Sequence, residues 1–239
     1  MIMKITFLGL VLAASVLALN SCGVQVNTVL ATDRSAHLDI AAHVHPVLLA
    51  YFKDLSGSDA PIFDTEIIKK KLTAEKGVTV QKIALTGKSD LKISLDVQDI
   101  TQLFAAKSSD LRSALSLGEV AGIHTLKLHL GRTLVKTLLS LGTSGDSSAV
   151  SSLIPQKDSI TTRQYQDQLN WALEEYGTAA ELAAMFKSSL IKVTIKLPAP
   201  IQSATGFSIQ DRTAGLVGLD IKLLDLMTLN NDLNYEVTY

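Results

Sequence analysis

The stretch LKISLDVQ, residues 91–98, decides the fold, because its apolar and polar residues alternate without interruption. Alternation with a period of two is typical of a β-strand that has one buried and one solvated face. The turn-forming segment TGKSD, residues 86–90, connects it to a second predicted strand over residues 78–85. The two strands therefore predict a β-hairpin.

The same kind of pattern recurs on both sides of the hairpin. Further strands are predicted over residues 38–44, 126–130, 191–197, 217–223 and 233–239. Helices are predicted over residues 47–55, 64–76, 99–106, 134–141, 159–175 and 178–188, and near Leu111. Because strands and helices are grouped rather than strictly alternating, the predicted fold class is α+β, with a mostly antiparallel sheet of about seven strands and helices packed on one face.

The N-terminus carries the pattern of a secretory signal. Lys4 supplies one positive charge, and the fourteen residues Ile5–Ala18 are apolar apart from Thr6 and Ser15, a run too short to span a bilayer comfortably. The segment Leu19-Asn20-Ser21-Cys22 then resembles the lipobox of bacterial lipoproteins, which has a branched apolar residue at −3, a small residue at −1 and an obligatory cysteine. Asn20 departs from that pattern, in which small or apolar residues are usual.

The lipobox resemblance implies that residues 1–21 are removed and that Cys22 is the lipidated mature N-terminus, carrying diacylglyceryl and palmitate. A buried free cysteine and an uncleaved signal anchor are the alternatives. The predicted mature chain, residues 22–239, is one extracytoplasmic domain with a flexible Ser- and Gly-rich loop, GTSGDSSAVSS, at residues 142–152. Since Cys22 is the only cysteine, no disulfide can form within it.

Charge and composition argue against several classes of partner. The chain has 22 basic and 23 acidic residues, and loss of Lys4 leaves 21 basic residues and a formal charge of −2. The only basic run is Lys69-Lys70-Lys71, so a nucleic-acid partner is not expected. No later stretch reaches 18 consecutive apolar residues, so a second membrane helix is not expected either.

Motifs for catalysis or cofactor binding are absent from the sequence. It contains no G-x-S-x-G, no G-x-G-x-x-G, no P-loop and no Cys/His cluster. We therefore predict no enzyme activity, no catalytic residues and no cofactor, and keep a hydrolase without a recognisable motif as an alternative.

The histidines near the first predicted strand are interpreted as a solvated face rather than a metal site. His37, Asp39, His43 and His45 fall at odd positions, so a regular strand would place them on one face. The side chains of His37 and Asp39, or of His43 and His45, lie about 7 Å apart along that face. This distance is too long for both to bind one zinc ion without a bulge or a further ligand such as His129.

A dense apolar segment near the C-terminus suggests a ligand cavity. Residues 223–229 are mostly apolar, and the helix that carries Trp171 could cover a concave sheet beside them. The candidate lining residues are Trp171, Leu223, Leu226 and Met227. The alternative is that these residues are simply core.

The two ends of the chain resemble known lipoproteins. CGVQVNTVLATDRSAHLDIAAHVHPVLLAYF, residues 22–52, resembles a pattern of spirochaetal lipoproteins of unknown function: cysteine, strand, polar turn, strand and helix. The C-terminal segments IKLPAPIQSATGF and LVGLDIKLLDLMTLNNDLNYEVTY resemble their closing strands, and the layout is similar to the extracytoplasmic domain of LppM-like lipoproteins. The resemblance implies a periplasmic or surface lipoprotein that interacts with lipid.

Together these patterns predict a cell-envelope lipoprotein with a binding or envelope-structural role. Its expected partners are the membrane, through the N-terminal lipid, and a lipid ligand. The alternatives are a carrier of lipids or amphipathic ligands with an apolar cavity, and the hydrolase. No protein partner is indicated.

Overall fold

The structure is a computed structural model that describes residues 23–57, 59, 61–102, 114–135, 153–155 and 160–239. The predicted signal peptide and Cys22 lie outside the described residues. So do the predicted loop 142–152, the surroundings of Leu111 and much of the predicted helices 99–106 and 134–141.

Eleven strands lie within the described ranges of the chain. They are β1 Gly23–Leu30, β2 Ala36–His43, β3 Val78–Thr86, β4 Asp90–Val97, β5 Leu115–Val120, β6 Ile123–Leu130, β7 Leu190–Lys196, β8 Ser203–Thr205, β9 Ser208–Asp211, β10 Leu216–Lys222 and β11 Leu233–Thr238. The helices with full bounds are α1 Pro46–Ser56, α2 Thr65–Thr73, α3 Thr162–Leu173, α4 Ala179–Ser188 and α5 Leu223–Met227.

The described strands form two sheets. The large sheet has seven strands in the order β3-β4-β2-β1-β7-β10-β9, and the small sheet has four in the order β5-β6-β11-β8. Within the large sheet only the β1–β7 pair is parallel. The predicted α+β class and the mostly antiparallel seven-stranded sheet are thus confirmed, whereas a separate small sheet was not predicted.

The alternation in LKISLDVQ has the predicted consequence. Leu91, Ile93, Leu95 and Val97 are at most 3% exposed and point into the core. We call this side of the large sheet its inner face, and the opposite side, which carries Gln25, His43 and Lys92, its outer face. The small sheet and the helices contribute to the same hydrophobic core as the inner face, so the core lies between the two sheets.

Local signals set the ends of the helices. The Asp64 carboxylate accepts from the Ile67 amide at the start of α2, and a left-handed Gly57 ends α1. Thr161 and Thr178 begin α3 and α4 with capping boxes. His45 departs from the prediction, because β2 ends at His43 and the His45 ring accepts from the Val47 amide as the N-cap of α1.

Candidate ligand cavity and a polar cluster on the large sheet

An apolar cavity of about 170 Å³ lies between the two sheets. Fourteen described residues line it, and thirteen of them are apolar. They are Val26, Thr28, Leu30, Ile100, Leu115, Leu126, Leu128, Leu130, Val135, Ile191, Val193, Ile195, Ile221 and Leu226.

The strand registers explain how these side chains meet. On the inner face, Val26 and Thr28 of β1 stand opposite Val193 and Ile195 of the parallel strand β7. From the small sheet, β6 turns its alternate leucines, Leu126, Leu128 and Leu130, toward the same space. Facing sheets pack about 10 Å apart, and here the branched side chains between them do not fill the gap.

The size and lining of the cavity suit a small apolar group. An apolar cavity of roughly 150 Å³ in a protein core stays dry and binds benzene-sized molecules. Ordinary drug-sized ligand sites are larger, roughly 300–1,000 Å³. The inter-sheet cavity therefore fits one ring or part of a single hydrocarbon chain, not a two-chain lipid.

Among the described residues, Thr28 has the only polar side chain that lines the cavity. It is 8% exposed, and its hydroxyl has no hydrogen-bond partner within the described part of the chain. A buried hydroxyl without a partner costs roughly 1–3 kcal/mol. A ligand with one polar atom would recover part of that cost.

A second, smaller cavity of about 30 Å³ lies on the other side of α5. Leu223 and Met227 line it together with Leu169 and Leu173 of α3. Its volume is about that of one water molecule, so it is a packing gap rather than a ligand site.

The four predicted cavity residues thus take different positions. Leu226 lines the inter-sheet cavity, while Leu223 and Met227 line the small one. Trp171 lines neither and is 76% exposed. The reason is helical geometry: α3 directs Leu169 and Leu173, four residues apart, toward the core, and Trp171 between them faces outward.

A polar cluster occupies the outer face of the large sheet, where β2 and β4 pair. The His37 Nδ1–H donates to the Asp96 carboxylate at 2.6 Å, and the Ser94 hydroxyl lies 3.3 Å from the other ring nitrogen. Gln81, the extra residue of a bulge in β3, donates to the second oxygen of Asp96. The order serine, histidine and aspartate is that of a nucleophilic triad.

Three features of this cluster oppose catalysis. The hydrogen bond with Asp96, reinforced by nearby Asp39, raises the pKa of His37 above its usual value, so the ring takes up a proton more readily. Asp39 also lies 3.5 Å from the nitrogen that faces Ser94. Since β4 is paired on both sides, its ladder leaves few backbone amides for an oxyanion hole.

Two other histidines form separate pairs with polar side chains. His43 contacts Asp90 at 2.8 Å, and the His129 ring contacts the Asn234 side chain at 2.7 Å. Within the described residues no group of three His, Cys, Asp or Glu residues could hold a metal ion. None of the helices in the described ranges is long and apolar enough to cross a membrane.

Comparison with known proteins gives one similar structure. No family model matches the sequence, and no curated protein matches it. The NMR structure of the folded domain of Mycobacterium tuberculosis LppM is similar to this chain, with a TM-score of 0.41 and 13% identity over 90% of this chain and 87% of that one.

Proposed function

We propose that this chain is an extracytoplasmic protein, anchored to a membrane through a lipid on Cys22, whose domain binds an apolar ligand between its two sheets. The observation that carries the binding role is the inter-sheet cavity of about 170 Å³ with thirteen apolar side chains in its lining. The anchor rests on the lipobox-like sequence before Cys22. The proposed anchor supports a location in the cell envelope.

The lining defines the ligand class. Thirteen apolar side chains favour a hydrocarbon, and the unpaired Thr28 hydroxyl favours a ligand with one hydroxyl, carbonyl or carboxyl group. The cavity volume limits the buried part of the ligand to one ring or part of a single chain. A single-chain amphiphile, such as a fatty acid or a fatty alcohol, meets all three conditions.

Residues 23–239 purified without detergent are expected to carry such a molecule. The measurement is mass spectrometry of an organic extract, together with displacement of a fluorescent fatty-acid analogue. Trp171 is not a suitable reporter, because its exposed ring lies outside the cavity. If no molecule is extracted and no apolar probe binds, ligand binding is ruled out, and the envelope-structural role takes its place.

The polar cluster around Ser94 supports a second candidate function, ester hydrolysis. The specific observation is the hydrogen-bonded order Ser94, His37 and Asp96. In this reaction neutral His37 would accept the proton of the Ser94 hydroxyl as the oxygen attacks the ester carbon, and Asp96 would hold the ring in place. The ester C–O bond would then break, the alcohol would leave with the proton from His37, and water would release the acid from Ser94 in the same way. We rank it second because of the competing contact of Asp39 and the paired backbone of β4.

Hydrolysis by Ser94 makes a sharp pH prediction. Because the raised pKa of His37 keeps the ring protonated to a higher pH, the rate should increase as the pH rises through that pKa, above the ordinary value of 6.5. Ser94→Ala should abolish turnover of a chromogenic short-chain ester, whereas Ser116→Ala, at an exposed serine of β5, should not. Equal rates for Ser94→Ala and the unsubstituted protein would exclude this function.

A further inference from the structure

The end of the large sheet at which β1 begins is directly continuous with the lipidation residue. Gly23 is already paired there with His43 of β2 and Leu190 of β7, and Leu190 is paired with Lys222 of β10. We call this edge, the cross-strand row through Gly23, the anchor end. Cys22 precedes Gly23, so the two Cα atoms are about 3.8 Å apart.

We infer that the anchor end rests on an anionic phospholipid surface and that its lysines contact the lipid phosphates. This inference rests on the lipid anchor proposed for Cys22. Because the paired strand starts at the next residue, no linker separates the folded domain from the acyl chains. A carbon added at Gly23 would lie 3.7 Å from the carbonyl oxygens of Ser188 and Leu190, so this point is packed into the fold.

The charges at the anchor end fit an anionic surface. Lys222 lies in the row of Gly23, and Lys92 and Lys192 lie in the next row, on either side of Ala41 and Gln25. These two lysines are three strand spacings apart, about 14 Å. Ammonium groups near an anionic leaflet are attracted to its phosphates.

These lysines are free to bind lipid. Within the described residues Lys92, Lys192 and Lys222 form no ion pair, whereas Lys53 and Lys88 are both paired with Asp59. An open depression of about 300 Å³ lies beside them, and its lining includes His43, Lys92 and Lys192.

The three lysines of these two rows outnumber the acidic residues, which are two, so the end keeps a net positive charge. Hydrogen bonds from Ser89 and His43 lower the pKa of Asp90, so its carboxylate stays ionised and is bound to these two groups. Asp220, opposite Lys192 in β10, is the other acidic residue in these two rows. The opposite end of β1 lies seven residues away, about 23 Å, and its loops carry Asp33 and Asp99 together with Arg34.

Single-cysteine labelling of the full-length lipidated protein tests this orientation. Since the thiol of Cys22 is consumed by its lipid, an introduced cysteine is the only free thiol. Gln25→Cys and Val29→Cys place a fluorophore at two exposed positions of the same face of β1, about 13 Å apart. In vesicles that contain phosphatidylglycerol and a headgroup-nitroxide lipid, the label at residue 25 should lose most of its fluorescence and that at residue 29 little.

Charge reversal then tests the lysines. Lys92→Glu, Lys192→Glu and Lys222→Glu together should reduce quenching of the label at residue 25. An equal change of charge on α2 should not reduce this quenching; the variant carries Lys69→Glu, Lys70→Glu and Lys71→Glu. Circular dichroism confirms that each labelled variant is folded, and the two labels in the otherwise unsubstituted protein test the orientation independently of the triple variants.

The outcomes separate the orientation from the anchor. Equal quenching of both labels would show that the sheet lies flat on the membrane. Absence of quenching in vesicle-bound protein would show that the domain does not contact the membrane surface. Equal effects of the two triple variants would exclude a specific role for the anchor-end lysines. Each of these results overturns the inference and leaves the anchor intact. Protein that fails to float with vesicles would instead overturn the anchor, and the inference with it.

Discussion

Cys22→Ala is expected to release the protein from the membrane completely. Each buried methylene contributes about 0.8 kcal/mol to membrane attachment, and two or more acyl chains hold a protein stably on a bilayer. The variant lacks the only thiol in the chain, so no thioether-linked diacylglyceryl group can form. Palmitate labelling should disappear, and the protein should leave the detergent phase in a phase-separation assay.

Ser21→Ala is the matched control for this experiment. It keeps a small residue at −1, so processing and palmitate labelling should continue. Undiminished palmitate incorporation in Cys22→Ala would contradict lipidation at this residue. Retention in the detergent phase without any label would instead support the uncleaved signal anchor.

The local part of the fold could be predicted from the sequence because it depends on local periodicity. The uninterrupted alternation over residues 91–98 predicts β4, and TGKSD predicts the turn before it; both are present. The small sheet was predicted in part: its strands β6 and β11 match the predicted strands 126–130 and 233–239, which were assigned to one sheet with the others. Its strands β5 and β8 were missed because their signals are weak: Gly118 and exposed residues interrupt the pattern of β5, and β8 has three residues. The parallel pairing of β1 with β7 joins distant segments, and no local pattern encodes it.

The candidate sites could be predicted only in part. A helical period of 3.6 residues per turn places Trp171 on the face opposite Leu169 and Leu173, so the exposure of Trp171 could have been predicted from the sequence. The cavity could not be predicted from the sequence, because a void between two sheets depends on their relative position. Ser94 and Asp96 were assigned to the polar face of their strand, and only the β2–β4 register brings His37 between them.

Val193→Phe is expected to abolish ligand binding with little loss of stability. Val193 lies on the inner face of β7 and lines the inter-sheet cavity. A phenyl ring is about the size of molecule that a cavity of roughly 150 Å³ holds, so it should occupy most of the 170 Å³ available. The amount of extracted ligand per protein should fall to background, while the urea midpoint stays close to that of the unsubstituted protein.

Val217→Phe provides the matched comparison, because it is the same substitution on the inner face of the neighbouring strand β10. Val217 is fully buried and lines neither described cavity, so its added ring must displace packed atoms, which costs about 1–3 kcal/mol. Val217→Phe should therefore lower the free energy of unfolding and, while folded, retain the ligand. If both variants are destabilised equally, the space beside Val193 is not a void in solution. If Val193→Phe keeps its ligand, binding takes place elsewhere on the protein.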